Sequence, residues 1–191
     1  MPFRFTRTAI PEAVVIDPRV FADERGFFLE AYKRSEFAAA GITETFVQTN
    51  RSRSAQGILR GLHYQKNPMA QAKLVWASSG VVYDVIVDLR RHGPSYGKWI
   101  AETLSAENKK MLYVPPGFAH GFCVLSAEAE IVYMTSEEYD PDLEAGILWN
   151  DPDLRINWPV SNPRLSDRDR RWPGFKGADH TFSYTGAGPR K

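Results

Sequence analysis

The chain has 191 residues, enough for one domain with a core that folds without disulfides or a structural metal. Hydrophobic residues make up 43% and charged residues 25%, and a net charge of +1 excludes the broad positive footprint of a nucleic-acid or anionic-membrane binder. One cysteine, Cys123 in the apolar run Phe122-Cys123-Val124-Leu125, rules out an intrachain disulfide and is expected to be a buried thiol in a reducing cytoplasm.

Short apolar or alternating runs, separated by turn residues, dominate the chain. Strands are predicted over 13–16 and 27–32, then a two-turn helix over 35–41 with Ser35 as its cap and Gly41 as its terminator. Further strands are predicted over 45–51, 58–65, 72–78, 81–89, 99–104, 110–114, 121–125 and 130–135. The clearest is 81–89, with Tyr83, Val85, Val87 and Leu89 on one face and Asp84 and Asp88 on the other. Asn162-Pro163 and Ser166-Asp167-Arg168-Asp169 suggest a short helix or turn. After Trp172-Pro173-Gly174 the hydrophobic pattern fades, so residues 1–174 are expected to form one domain and 175–191 a mobile tail. Many short strands at this spacing favour an all-β sandwich or barrel. No run approaches 18 apolar residues and no basic-then-apolar leader opens the chain, so a soluble, unsecreted protein is expected.

Polar groups with chemical potential gather in three strand regions. Gln48-Thr49-Asn50-Arg51-Ser52 is closely followed by Gly57-Ile58-Leu59-Arg60-Gly61-Leu62-His63-Tyr64-Gln65. Lys73 shares a face with Val75, and Pro115-Pro116-Gly117 leads into a strand with His120 at its mouth. The four histidines (63, 92, 120 and 180) show no His-x-His or His-Glu-x-x-His spacing, so no metal is expected. Taken singly, His63 in a strand suits a hydrogen-bonded core residue, Lys73 and the arginines suit the surface, and Tyr133 and Tyr139 suit packing. Composition and pattern alone therefore support a soluble β-barrel with a polar pocket.

Larger motifs go further. Asp23-Glu24-Arg25-Gly26-Phe27-Phe28, Gln48-Thr49-Asn50-Arg51-Ser52, the run from Gly57 to Gln65, and Val114-Pro115-Pro116-Gly117-Phe118-Ala119-His120-Gly121-Phe122 resemble the dTDP-4-dehydrorhamnose 3,5-epimerase family. Gly146-Ile147-Leu148-Trp149-Asn150-Asp151-Pro152 and Leu165-Ser166-Asp167-Arg168-Asp169 extend the resemblance in colinear order over residues 1–172. It implies a cupin-type jelly-roll β-barrel with a few short helices, a homodimer, no cofactor and a dTDP-4-keto-6-deoxyhexose substrate.

The resemblance also implies roles. His63 would be the base, Asp169 would orient it, Lys73 would stabilise the enolate oxygen, and Tyr133 would protonate the opposite face. Arg25, Arg60 and Arg168 would hold the diphosphate and nucleotide, with Gln48, Asn50, Glu30, Glu144 and His120 serving the sugar and nucleoside. Arg168 stands where the resemblance leads one to expect Lys. Arg25 and Glu30 would act across the dimer. Strict alternation places Arg60 and His63 on opposite faces, so either Gly61 marks a bulge or Arg60 acts at the rim. Alternatives are an enzyme inverting C3 only, a non-catalytic nucleotide-sugar binder, and a metal-dependent oxygenase.

Overall fold

The computed structural model describes residues 2–186. Thirteen strands form three sheets. The first has the order β1 (Phe3–Arg7), β2 (Val14–Pro18), β10 (Met111–Val114), β7 (Lys73–Ser79), β12 (Glu128–Thr135), β5 (Gln48–Ala55). The second runs β13 (Glu144–Gly146), β6 (Leu59–Gln65), β11 (Phe118–Val124), β8 (Val81–Asp88), β9 (Trp99–Ser105). A two-stranded hairpin, β3 (Phe21–Asp23) with β4 (Gly26–Phe28), stands apart. Among the described residues no helix is long and apolar enough to cross a membrane.

The mainly-β expectation holds, but the closed barrel does not. Neither large sheet joins its own margins: β1 and β5 bound the first, β13 and β9 the second. What replaces the barrel is two open sheets with their inner faces apposed. Val15, Val75, Leu112 and Ile131 of one meet Val82, Ile86, Leu104 and Phe122 of the other in a shared core. Each such side chain, fully buried, contributes roughly 1.5–3 kcal/mol.

The outer faces are covered too. Helix α1 (Arg34–Ala39) lays Phe37 against Phe3, Leu74 and Met111 on the outside of the first sheet. It starts one residue earlier than predicted, with Lys33 rather than Ser35 at the cap position, and Gly41 ends it at φ +89°. The row Tyr83, Val85, Val87 and Leu89 looks outward from the second sheet, and Phe175, Ala178 and Phe182 cover it. Within 175–186, part of the expected tail, Phe175, Ala178, His180 and Phe182 are buried. An exposed apolar row needed a cover, and a parallel bridge from Arg91 to Ser183 pins that cover in place. The rest of the expected tail, 187–191, lies outside the described residues. Strand prediction also missed β1, β3 and β13, while 27–32 shrinks to the three residues of β4.

Candidate active site

Where β5 and β12 face β6 and β13, the inward rows turn polar, and a cavity of about 330 Å³ opens between the sheets. That volume lies at the small end of ligand pockets. Nine residues singled out from the sequence line it: Gln48, Asn50, Arg60, His63, Lys73, His120, Tyr133, Glu144 and Arg168. Asp169 reaches the site through His63. Arg25 and Glu30 do not line it; Arg25 sits on the β3–β4 hairpin, paired with Asp23 at 2.5 Å.

One wall is built on β6 and β11. His63 and His120 are direct partners in that antiparallel pair. Between the pairs Phe122–Arg60 and His120–His63, β11 advances two residues and β6 three. This bulge at Gly61 resets the alternation and brings Arg60 and His63 into the same cavity. Only glycine fits there: a Cβ on Gly61, at φ +136°, would lie 2.5 Å from Gly121 Cα.

Each imidazole on this wall leans on a carboxylate. His63 Nε2 donates to Asp169 Oδ1 at 2.6 Å. Burial pushes the Asp169 carboxyl up, but hydrogen bonds with His63, Ser166 and Trp172 outweigh it and leave Asp169 below the ordinary carboxylate range. An ionised Asp169 accepts, so the proton sits on Nε2 and Nδ1 is the nitrogen left to act as base. His120 Nε2 donates to both oxygens of Asp84, at 2.9 and 3.0 Å. The two pairs differ in access. The His63 side chain is 23% exposed and that of His120 is 7%.

The facing wall comes from β7 and β12. Lys73 pairs with Thr135 and Val75 with Tyr133, so the ammonium and the phenol share one face as diagonal neighbours. Burial lowers the Lys73 pKa to about 8, against the opposing pull of Glu144 and Asp84. Burial raises the Tyr133 phenol, with Glu144 adding to the effect and Arg60 opposing it. Both groups are thus shifted chiefly by burial, with nearby charges acting on each. A carbonyl oxygen beside Lys73 would meet a positive charge as it gained electrons.

Tyr139 guards the mouth. Its backbone N–H donates to Gln48 Oε1 and its hydroxyl to Glu144 Oε2 at 2.7 Å, while Arg168 binds the same Glu144 carboxylate. Gln65 ties the adjoining loop down through Met69 O, Glu138 O and Asp140 N. Sequence reasoning gave no individual role to Asp84, Gln65 or Trp172 and read Tyr139 as a packing residue. For Asp84 a signal existed, an acid that alternation sets with Asp88 on the face opposite Tyr83, Val85 and Val87, where it meets His120. Among the described residues no group of three His, Cys, Asp or Glu side chains is placed to hold a metal ion.

A carboxylate-braced imidazole, a phenol on the facing sheet and a buried ammonium around one small cavity define a proton-transfer site of the epimerase kind. Comparison narrows the class. The family model described as dTDP-4-dehydrorhamnose 3,5-epimerase matches residues 7–177. A Pseudomonas aeruginosa protein of that name is 53% identical over 176 residues, covering 91% of this chain and 97% of its own. The Shigella flexneri one is 52% identical over 175 residues with the same coverage. A crystal structure of dTDP-6-deoxy-D-glucose-3,5-epimerase from Legionella pneumophila, in complex with dTDP-4-keto-L-rhamnose, superposes with TM-score 0.90 at 42% identity, covering 93% of this chain and 95% of that one. The chain belongs to the dTDP-4-dehydrorhamnose 3,5-epimerase family.

Proposed function

We propose that this chain converts dTDP-4-dehydro-6-deoxy-D-glucose to dTDP-4-dehydro-L-rhamnose by inverting C3 and C5, as a cytoplasmic step toward activated rhamnose. The observation that carries this reading is the apposition of His63, braced by Asp169, to Lys73 and Tyr133 across one cavity. The C4 ketone acidifies the hydrogens on C3 and C5. His63 Nδ1 takes one of these protons, and the electron pair moves onto the ketone oxygen as an enolate that Lys73 stabilises. Tyr133 then gives a proton to the same carbon from the other face, inverting the centre. Solvent restores the phenol and the imidazole before the second centre reacts. Arg60 and Arg168 suit the diphosphate, Tyr139 and Glu144 flank the entrance, and Gln48, Asn50 and His120 offer hydrogen bonds to the sugar. The chain works as one catalytic domain. In heavy water the converted sugar should carry one deuteron at C3 and one at C5 by mass and proton spectroscopy; product with deuterium at C3 alone would cut the reaction to a single inversion.

A homodimer completes the site. Arg25 and Glu30 lie outside this chain's cavity, on or beside a hairpin whose Phe27 and Phe28 are 60% and 65% exposed. Adjacent exposed aromatics of this kind mark an interaction surface. Mixing inactive Arg25→Ala and His63→Ala chains after reversible dissociation should restore roughly a quarter of wild-type activity, since half the dimers are mixed and each has one intact site. No recovery would place Arg25 in its own subunit's site or in none.

A further inference from the structure

Asp169 belongs to no strand. It sits in a turn after Leu165, where its N–H bonds Ser166 Oγ at 3.1 Å. That contact anchors the backbone, and Ser166 together with His63 also lowers the pKa of the carboxyl itself. A second donor meets it: Trp172 Nε1 lies 3.3 Å from Oδ1, the same oxygen that His63 uses. The indole also stands edge-on to the imidazole, with ring centroids 6.1 Å apart at 70°. Its neighbouring backbone is pinned by the bond from Leu148 N to Pro173 O.

The indole has a slot to lie in. Gly146 on β13 is the register partner of His63. A Cβ there would fall 2.5 Å from Trp172 Cε2 and 2.6 Å from Cδ2 and Nε1. Any larger residue would push away the very nitrogen that meets Asp169. The glycine, the indole, the carboxylate and the imidazole thus form one contiguous stack.

We propose that Trp172 is the positioning residue of the His63–Asp169 pair, seated by Gly146, and that it holds Oδ1 against Nε2 so that Nδ1 faces the cavity. This rests on His63 being the base. Outer partners of a ligating or catalytic histidine commonly set its tautomer and orientation. Trp172 touches no reacting atom in this scheme and acts only through the carboxylate.

The test compares Trp172→Phe, Trp172→Ala, Gly146→Ala and the double variant Gly146→Ala/Trp172→Ala. Trp172→Phe keeps an aromatic ring and loses only the N–H and some volume. It should slow deuterium exchange about tenfold, a loss typical of outer-partner removal. It should leave dTDP affinity within twofold and change the ¹⁵N signature of His63 toward a tautomer mixture. Gly146→Ala should lose as much as Trp172→Phe. The double variant should be no worse than Trp172→Ala, because the added methyl then meets no indole. Wild-type exchange with an unaltered His63 signature in Trp172→Phe would overturn the proposal, as would a Gly146→Ala loss that adds in full to that of Trp172→Ala. Full exchange in His63→Ala would remove the base reading and this inference together, whereas an inactive His63→Ala beside an unaffected Trp172→Phe sinks the inference alone.

Discussion

The two walls of the cavity are built on opposite principles. On β6 and β11 both imidazoles are tied to buried carboxylates, His63 to Asp169 and His120 to Asp84. On β7 and β12 burial is the largest influence on both the Lys73 ammonium and the Tyr133 phenol, with nearby charges acting after it. The difference is chemical. An imidazole has two nitrogens and must be held in one tautomer to be a base, whereas an ammonium or phenol needs no tautomer and works best with its donors unspent. In the proposed mechanism the braced wall accepts a proton and the uncommitted wall donates.

Removing the braced base should do most damage. His63→Ala is expected to cut solvent-deuterium exchange at C3 and C5 by about 10³-fold or more, with dTDP affinity little changed, within the range for general acid–base groups. Wild-type exchange would break the comparison at its first member.

The uncommitted wall comes next. Lys73→Met should lower kcat by about 10²–10³-fold, the scale for losing an enolate stabiliser. It should also stabilise the fold at neutral pH, because the ammonium is held in a place that disfavours its charge. Below pH 8 the folded chain carries that buried charge at full cost. Between about pH 8 and the ordinary lysine value the unfolded chain holds a proton that the folded one has lost, so wild-type stability rises across this window. The gain from Lys73→Met should thus be greatest at and below pH 7, on the order of 3 kcal/mol. Wild-type activity should fall as pH rises through about 8 as the ammonium deprotonates. Thermal unfolding and initial rates from pH 6 to 10 check both, and a destabilised Lys73→Met would argue against a strained ammonium.

The smallest effect separates the two imidazoles. His120 lines the cavity but is far less exposed than His63, so His120→Asn should cost about tenfold, chiefly in KM, as for a group that hydrogen-bonds substrate without moving its proton. A kcat loss equal to that of His63→Ala would make the two pairs equivalent.

Much of this site was legible before the fold, and the reasons are local. The run from Arg60 to Gln65 and the stretch ending at His120 carried their roles by resemblance, and both fall on paired strands lining the cavity. Alternation placed Asp84 correctly on the face opposite Val85 and Val87 but gave it no role, because it tells which side chains share a face and not what each face meets. In β8 the apolar row looks outward under Phe175 and Phe182, while Asp84 looks inward beside His120. Whether β5 or β13 would close a barrel depends on ladders between strands distant in sequence, which no local pattern records. Trp172 was invisible because a tryptophan between a turn and a proline gives no sign of the carboxylate that its N–H meets.

In the proposed mechanism base and donor act from opposite faces of one ring. Tyr133→Phe incubated with the dTDP-linked 4-keto sugar in heavy water tests it most directly, by reading deuterium content and configuration at C3 and C5 together. His63 should still remove protons and return deuterons from its own side, so deuterium enters with retained configuration while inversion is lost. Inversion at the wild-type rate would contradict it.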